Sequence, residues 1–489
     1  MSRRASAFLL RSGHQILWVT AGGQTRSPNG DRTVNAYRHA RARYALAAIL
    51  ALAAFVALLV VGAARAPALA QGREISLIRD AEIEATLRDL AGPVFEAAGL
   101  SRDSVRLYIV NDDRLNAFVA GGMNLFLNTG IIRRAEHSGQ LLGVIAHETG
   151  HIAGGHLSRA PEAMRRATAE AILATVLGAA AAMAGAGEVG TAIIAGGHHV
   201  AQQNLLKFSR TQEQAADQAA VSSLRRDGVS AAGLLEFFKV LETQNALVTV
   251  PSPFLLTHPL TRERIAFMEN QVATEPPGLA RTPPGMEERY ARMIAKLDGF
   301  LGEPQRVLRD YANRDGVAAR YARAIAHYRV PDLNAALAEL DPLIAEYPDD
   351  PYFHELRGQI LFENGRIAEA IPAYRTAVKL RPDAALIRVG LGQALIESSE
   401  PGANGDALAH LKEAVRLDPD NATAWRLLGI AHGRNEEPGL SSLALAEYAL
   451  LTNRQEDAKL YARRAEAQIP ASDPAWLRVQ DILRVLEES

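Results

Sequence analysis

The sequence contains no cysteine among its 489 residues, which excludes disulfide bonds and thiolate metal sites but does not by itself identify a compartment. Neither sign of charge predominates. The chain has 53 lysines and arginines against 55 aspartates and glutamates, a formal net charge of -2. This balance argues against a generally basic nucleic-acid-binding protein, and we expect no nucleic-acid partner. The length allows two or three domains with a sizeable core.

A His-Glu-Thr-Gly-His pattern lies in the middle of the first half of the chain, with an apolar stretch before it. His147 and His151 are four residues apart, so on one helix face both can hold a zinc ion while Glu148 reaches a water molecule there. The pattern indicates a zinc peptidase with Glu148 as the general base. The alternative is an amphipathic helix with two surface histidines.

A third zinc ligand is needed, and the nearest histidine is a poor candidate. His156 follows His151 by five residues, so on a continuing helix it would be rotated off the ligand face. A metzincin would need histidine at position 157, which is Leu157. Glu213 is the better candidate, with Asp217 on the same helix face to accept the free ring N–H of a ligand histidine. The alternative for this pair is a solvated acidic helix face.

These motifs, together with Thr257-His258-Pro259, resemble the gluzincins of metallopeptidase family 48, which include the CAAX prenyl endopeptidases. The resemblance extends over about residues 74 to 489. It implies one Zn²⁺ per chain, held by His147, His151 and Glu213. It also implies that His258 lies on a loop over the site and takes the fourth zinc position as a removable plug. Without the resemblance, a surface histidine in a helix-entry turn is an equal interpretation of His258.

The N-terminal region has the composition of an export signal. Residues 1–43 contain eight arginines and one acid, Asp31, and residues 44–64 carry no charge. Ala68-Leu69-Ala70 then provides a small-x-small cleavage pattern, so residues 1–70 are predicted to be a basic leader and signal peptide. An uncleaved anchor in the inner membrane, facing the periplasm, is the alternative. With the family resemblance, export predicts a periplasmic location.

A small sheet is predicted beside the metal helix. Apolar spacing indicates an amphipathic helix from Glu74 to Leu100, followed by a strand at 105–110 and two strands at 116–122 and 123–128. A strand exposed there could bind an extended substrate by edge addition, through Asn116, Ala117 and Phe118. The alternative is that these strands serve only the core.

Two apolar runs, 171–187 and 189–197, separate the two halves of the metal site. Their alanine and glycine content and marginal length favour a small helical hairpin over a membrane span. The family resemblance adds the option of peripheral contact with lipid or with an outer-membrane client.

The C-terminal part repeats itself, because Gly358, Gly392 and Gly429 are spaced by 34 and then 37 residues. This is the tetratricopeptide (TPR) period, and the extra residues fall in a turn at 398–405. Such repeats form an α-solenoid that binds proteins; the alternative is that they only stabilise the protease. Proline pairs at 276–277 and 283–284 mark a linker.

The predicted organisation is a zinc metallopeptidase domain at 71–275, a linker with a helix at 276–317 and a TPR domain at 318–489. The fold class is α+β, mainly α. The predicted function is a periplasmic zinc metalloendopeptidase that degrades misassembled envelope or outer-membrane proteins and assists their assembly. Its expected partners are outer-membrane β-barrel proteins and their assembly machinery, reached through the TPR domain. The alternative is an assembly chaperone or scaffold with a mostly plugged, latent protease site.

Overall fold

A computed structural model describes residues 76–183, 187–247 and 251–488. The leader and signal peptide predicted at 1–70 lie outside the described residues. Within those three ranges, no helix combines the length and the apolar character needed to cross a membrane. The described chain is mostly helical with one small sheet, which confirms the predicted fold class.

The sheet has four short strands: β1 (Leu77–Ile78), β2 (Arg106–Val110), β3 (Ala117–Ala120) and β4 (Asn124–Asn128). Their order is β1-β2-β4-β3, with β2 parallel to β4 and the two outer pairs antiparallel. Gly121 and Gly122 make the turn between β3 and β4 with φ of 57° and 94°, values that only glycine adopts without strain. In this strand order, β3 lies at one edge of the sheet.

The first helix, α1 (Ala81–Ala97), begins later than the sequence predicted. A helix from Glu74 is wrong, because Leu77 and Ile78 are in strand β1 and pair with β2. Asp80 then caps the helix, accepting hydrogen bonds from the backbone N–H groups two and three residues further on. The apolar spacing correctly predicted a helix in this stretch, but pairing of residues 77–78 with β2 makes its first residues a strand.

Eight further helices follow in the first part of the chain. They are α2 (Thr129–Arg134), α3 (Ser138–Ala153), α4 (His156–Met183), α5 (Gly187–Arg226), α6 (Ala232–Leu247), α7 (Pro253–Thr257), α8 (Arg262–Ala273) and α9 (Met286–Leu301). Helix α3 lies at the centre and packs against α1, α5, α6 and β3. Its residues from Ser138 to Gly150 are all buried, so the two histidines and the glutamate of its motif project from a rigid core element.

Close approach of α3 to its neighbours depends on glycine. A Cβ atom on Gly143 would lie 2.7 Å from the backbone of Leu234 in α6. A Cβ atom on Gly150 would lie 2.7 Å from the carbonyl oxygen of Ala216 in α5. Because these contacts are with backbone atoms, a larger residue at either position would push the helices apart.

Helix α9 packs against the same core, although it lies within the segment predicted as a linker. Met286, Tyr290, Met293 and Leu297 join the hydrophobic cluster that surrounds α3. The hydroxyl of Tyr290 also donates to backbone carbonyls at the end of α2. The helix expected between residues 276 and 317 is therefore packed into the first half of the chain, around α3.

The remaining helices form an array of antiparallel pairs. They are α10 (Pro304–Tyr311), α11 (Val317–Arg329), α12 (Leu333–Glu346), α13 (Pro351–Glu363), α14 (Ile367–Leu380), α15 (Ala385–Glu397), α16 (Ala403–Leu417), α17 (Ala422–Arg434), α18 (Pro438–Leu451), α19 (Gln455–Gln468) and α20 (Pro474–Glu488). The periodic glycines lie where helices of a pair cross. A Cβ atom on Gly358, Gly392 or Gly429 would come within 2.9 Å of a side chain of the next helix.

The helical array contacts the peptidase half at the start of α1. Ala81 and Ala85 of α1 belong to a hydrophobic cluster made mainly of repeat residues. Two ion pairs extend the contact: Arg79 to Asp418 at 2.7 Å and Arg106 to Asp420 at 2.6 Å. Exposed ion pairs of this kind add little stability. The apolar contact and the largely buried ion pair between Arg292 of α9 and Asp350, which precedes α13, therefore matter more to this interface.

Candidate metal centre

Four side chains from three parts of the chain converge beneath α3. The Nε2 atoms of His147 and His151 are 3.2 Å apart, and each lies 3.4 Å from a carboxylate oxygen of Glu213 in α5. The Nδ1 atom of His258, which follows α7, lies 3.1 Å from Oε1 of Glu213 and 3.4 Å from Nε2 of His147. These ligand atoms all lie within 4.8 Å of one another.

The spacing of this cluster can be compared with the needs of a metal ion. Zinc with nitrogen and oxygen ligands at about 2.0–2.1 Å in a tetrahedron places neighbouring ligand atoms roughly 3.3 Å apart. The five separations above run from 3.1 to 3.4 Å. The donor set therefore fits a tetrahedral divalent metal.

The other ring nitrogen of His147 is held by Asp217, one turn after Glu213 on α5. Nδ1 of His147 lies 2.9 Å from Oδ1 of Asp217. This contact orients the ring so that Nε2 faces the cluster. The structure thus brings Asp217 to the position that the sequence predicted for it.

Arg264 completes the buried charges, and sequence reasoning missed it. Its Nε and Nη2 atoms donate to the two oxygens of Asp217 at 2.7 and 2.8 Å, and Nη1 lies 2.8 Å from Oε2 of Glu213. The residue is 3% exposed. It stands at the third position of α8, six residues after His258. An arginine just after the candidate loop histidine was the available signal, but nothing local showed that it faces inward.

His156 also contacts the cluster, for a reason the sequence did not give. Helix α3 does not continue, because Gly155 adopts a φ of 60° and α4 begins at His156. Nδ1 of His156 comes within 3.0 Å of Nδ1 of His151. It lies outside the set of ligand atoms but can accept the Nδ1 proton of His151, which leaves Nε2 of His151 free for a metal.

Glu148 lies beside the cluster without joining it. The side chain is 1% exposed, and its Oε1 has no hydrogen-bond partner in the part of the chain that the structure describes. Nε2 of His258 lies 3.4 Å from this oxygen. Burial raises the pKa of Glu148 above its ordinary value. A buried carboxylate with a free oxygen aimed at the ligand cluster is placed to take a proton from a water molecule there.

The ionisation of the cluster follows from burial and from its carboxylates. Burial disfavours a charged imidazole, but the hydrogen bonds to Asp217 and Glu213 outweigh it and raise the pKa of His147 to about 9. Burial lowers the pKa of His151 to about 4. Burial also disfavours charge on Glu213, yet the three imidazoles hold the pKa of this carboxyl well below its usual range. The site therefore keeps an anionic ligand and one neutral histidine at neutral pH.

The predicted substrate strand lies next to these residues. Asn116 precedes β3, Ala117 is fully buried, and Phe118 stacks on Phe126 of β4 at 4.9 Å. Strand β3 packs against α3 and pairs on one side only. The N–H of Phe254 in α7 donates to the carbonyl of the residue two before Ala117. The edge strand thus lies between the metal helix and the helix that precedes His258.

A buried His, His, Glu, His cluster with a free glutamate beside it, carried by a mainly helical fold, defines a metal-dependent peptidase. Comparison with known families agrees. Residues 77–272 match Peptidase family M48, and residues 339–474 match the Cytochrome c-type biogenesis protein H TPR domain. The chain therefore contains a family M48 metalloprotease domain followed by a TPR domain.

Curated relatives align with this chain over about two thirds of their length. The beta-barrel assembly-enhancing protease of Yersinia pestis is 27% identical over 335 residues, covering 67% of this chain and 68% of that protein. The protein of the same name from Escherichia coli (strain K12) is 26% identical over 329 residues, covering 66% and 67%. Among solved structures, YrrB, a TPR protein with an unusual peptide-binding site, has a TM-score of 0.30 at 18% identity, covering 36% of this chain and 91% of that one.

Proposed function

We propose that this metalloprotease is a zinc endopeptidase of the periplasm that acts on outer-membrane β-barrel proteins during their assembly and degrades misassembled forms. The assignment as a zinc peptidase rests on the buried ligand cluster with Glu148 beside it. The compartment and the client are supported by the export signal predicted at residues 1–70 and by the name of the two relatives. One Zn²⁺ per chain would be held by His147, His151 and Glu213.

Zinc, when bound, supplies a Lewis acid that polarises a peptide carbonyl and lowers the pKa of a water molecule. The chain's own residues carry the proton. Glu148 accepts it from the attacking water and then donates it to the nitrogen of the departing amine. Because the pKa of Glu148 is raised towards neutral pH, the side chain can both accept this proton and give it up again. Asp217 and His156 hold the two ligand rings in place during this transfer.

The substrate would bind as an added strand along β3. Its free edge lies beside α3, so a peptide paired there runs past the ligand cluster. Backbone pairing is tolerant of side chains, which suits a protease that must accept many misfolded segments. Asn116, Ala117 and Phe118 are the residues that would provide this edge.

His258 gives the site a second state. Its Nδ1 atom lies among the ligand atoms, and Nε2 faces the proposed base at 3.4 Å. In this arrangement the ring fills the fourth ligand position, which an attacking water needs, and it also covers Glu148. The protease would then be latent until the ring moves away, a population effect that substrate binding shifts.

This latency favours a second role, as an assembly chaperone whose TPR domain binds clients while the protease site is plugged. The solenoid has surface but none of the proposed ligands, so we propose that it selects the protein client. The two roles separate in Glu148→Gln. A chaperone should keep its effect on β-barrel assembly in that variant, whereas a pure protease should lose it.

The test of the proposed function is the metal content and casein cleavage of the purified full chain. We expect one zinc per chain, cleavage that a chelator abolishes, and recovery with added zinc. A second measurement uses a β-barrel protein arrested in folding and the same protein fully folded; only the arrested form should be cleaved. Zinc-free protein that cleaves casein, or equal cleavage of both forms, would contradict the proposal.

A further inference from the structure

Helices α4 and α5 form a long hairpin that begins and ends in the metal centre. Helix α4 starts at His156, and α5 carries Glu213 and Asp217 near its C-terminal end. Between them the helices pack along each other. The stretch from Ala171 to Val200, outside the undescribed residues 184–186, is the distal half of this hairpin, and we call it the apolar tip.

The two helices of the apolar tip contact each other through small residues. A Cβ atom on Gly178 would lie 2.4 Å from the carbonyl oxygen of Gly190, and one on Gly190 would lie 2.4 Å from that of Gly178. A Cβ atom on Gly197 would lie 2.0 Å from the Cβ of Ala174. The helix backbones are therefore in direct contact, and the interface buries little apolar area.

The large apolar side chains of the tip point outward. Ten of the seventeen exposed large hydrophobic residues among those described lie on α4 and α5. Seven of them are in the tip, each more than half exposed except Ile193: Ile172, Leu173, Val176, Leu177, Val189, Ile193 and Val200. A helical hairpin stabilised by water would place these residues inside and the glycines elsewhere. Helices in lipid pack in the opposite way, with small residues at the helix–helix interface and large apolar residues facing outward.

Polar groups in the tip are few and partly satisfied within the hairpin. Glu188 is the single charged residue from 171 to 200, although His198 and His199 lie near the end. The hydroxyl of Thr175 donates to the carbonyl of Ala171, and that of Thr191 donates to the carbonyl of Glu188. Internal hydrogen bonds of this kind are what an apolar surrounding requires.

Charge returns where the tip ends, and it is mainly positive. The flanking turns of α4 and α5 carry five exposed basic residues against two acids: Arg159, Arg165, Arg166, Lys207 and Arg210 against Glu162 and Glu170. We call these five residues the basic collar. At this level a cleft of about 480 Å³ opens between the helices, lined by Arg159 and Arg166 and also by Glu162 and Glu170. Glu162 pairs with Arg165 and Arg166, so the positive character of the collar comes from the remaining excess of basic over acidic residues. Basic groups beside apolar surface match an anionic headgroup above its acyl chains.

We propose that the apolar tip inserts into the surface of a lipid bilayer, with the basic collar at the level of anionic headgroups. Thirteen residues of α4 extend roughly 20 Å, less than the roughly 30 Å of a bilayer's hydrocarbon core, so the hairpin enters without spanning. Glu188 at the end of the tip limits the depth, because a carboxylate is costly in hydrocarbon.

Insertion would place the metal centre at the membrane surface. Lys207 of the basic collar and Glu213 are six residues apart on α5, about 9 Å along the helix axis. A protein segment leaving the bilayer would therefore meet the ligand cluster close to the headgroups. A protein partner is a weaker interpretation of the tip, because its apolar side chains cover both helices and form no single groove.

The absence of cysteine gives a direct test. One introduced cysteine, Val189→Cys, carries an environment-sensitive fluorophore at the tip of the otherwise full chain, and Leu477→Cys on α20 carries the same label at an equally exposed apolar position. Vesicles of phosphatidylcholine with phosphatidylglycerol should shift the emission of the label at 189 to the blue and leave the label at 477 unchanged. No shift at 189, or equal shifts at both positions, would overturn the proposal.

Vesicle flotation of unlabelled variants, all made without the predicted leader and signal peptide at 1–70 so that its apolar run cannot bind lipid, gives the second measurement. Leu173→Gln with Val176→Gln should weaken partition roughly tenfold or more, whereas the control pair Leu477→Gln with Val485→Gln should not. Neutralising Arg165 and Arg166 should weaken binding to anionic vesicles only, and Glu188→Gln should strengthen binding. Circular dichroism melting checks that each variant folds. Tip variants that still bind vesicles, or that lose only self-association or binding to an unfolded β-barrel protein, would assign the surface to a protein instead.

Discussion

Arg264 and Asp217 form a buried two-pronged ion pair beneath the histidine cluster, with donor–acceptor distances of 2.7 and 2.8 Å. The same guanidinium reaches Glu213, so one cation holds both carboxylates of α5. Asp217 in turn lies against Nδ1 of His147. The proposed ligands are therefore fixed by a chain of contacts that continues from α3 through α5 to α8.

The first prediction concerns this arginine. Arg264→Ala leaves two buried carboxylates without their cation, so it should destabilise the metal-free protein by about 3–5 kcal/mol. Arg264→Lys keeps the charge but loses the two-pronged contact, so its loss of stability should be smaller than that of Arg264→Ala but still measurable. Arg262→Ala, two residues earlier and exposed, is the matched control. Chemical denaturation measures the difference; equal stability of Arg264→Ala and the control would show that the pair contributes nothing.

The second prediction separates metal binding from catalysis. Glu148→Gln should keep stoichiometric zinc and lose cleavage, because the proposed base is not needed to hold the metal. Glu213→Gln should weaken zinc binding strongly, since it removes an anionic ligand. Zinc analysis and casein cleavage on the same preparations decide. Loss of zinc from a folded Glu148→Gln protein would make Glu148 a ligand, and unchanged affinity in Glu213→Gln would remove Glu213 from the ligand set.

The third prediction follows from the pKa of His147, which is raised to about 9. Its proton stabilises the metal-free fold below pH 6.5, the unfolded value, and that contribution is lost as pH rises through 9. Zinc must displace this proton, so the apparent affinity should rise by about tenfold per pH unit from 6.5 to 9. His151, with a pKa of about 4, releases none in this range.

Asp217→Asn is the variant that tests this origin of the shift. It removes one of the two carboxylates that raise the pKa of His147, so less proton should be released on binding near pH 8. Zinc affinity at high pH should fall about 10- to 100-fold, because the ring loses its orienting partner. Calorimetry in buffers of different ionisation enthalpy counts the protons. Release that is the same in Asp217→Asn and the unmodified protein would place the displaced proton elsewhere.

The fourth prediction concerns the sign of the effect of His258. If its ring plugs the fourth ligand position, His258→Ala should cleave casein faster at matched zinc occupancy, in proportion to the plugged fraction. If the ring instead donates to the developing oxyanion, the same change should slow turnover. His199→Ala on the exposed hairpin controls for loss of a histidine. A clear fall in initial rate for His258→Ala alone would refute the plug.

The fifth prediction concerns the contact between the two halves of the chain. Glu355 of α13 is largely but not fully buried near Lys296, whose Nζ atom is 2.8 Å from Asp80 and 3.8 Å from Glu355. Burial, then the acids of α1, raise the pKa of Glu355 to about 8 against the opposing effect of Lys296. A raised carboxyl pKa means that stability falls as pH rises from about 4.5 to about 8.

Glu355→Gln should therefore flatten the pH dependence of unfolding in this window and leave the acid side unchanged. The exposed Glu397→Gln on α15 serves as the control. Thermal melts of both variants from about pH 4 to about pH 9 provide the comparison, because this range extends beyond both ends of the window. A slope in Glu355→Gln as steep as in the control would mean that Glu355 stays charged in the folded protein.

Local spacing alone was sufficient for several features. The four-residue steps in His147–His151 and in Glu213–Asp217 follow from one helical turn, so each pair shares a face in any helix. The glycines at 358, 392 and 429 mark repeat crossings for a similar reason, since the same supersecondary unit recurs along the chain. Sequence patterns of this kind depend only on near neighbours, and the structure agrees with all of them.

Tertiary structure decided what depends on distant neighbours. Nothing near Arg264 shows that it contacts Glu213 and Asp217, because Asp217 lies 47 residues earlier in the chain and Glu213 earlier still. His156 is only five residues from His151, but its contact depends on the break between α3 and α4 at Gly155, which the spacing alone does not reveal. Strand pairing of Leu77 with Val110 shortened α1, and packing of Tyr290 placed α9 in the peptidase core. The sequence by itself determined the helices, the repeats and the ligand types. The outward direction of the hairpin's large side chains, and the buried chain of charges behind the ligands, were set by how those helices pack.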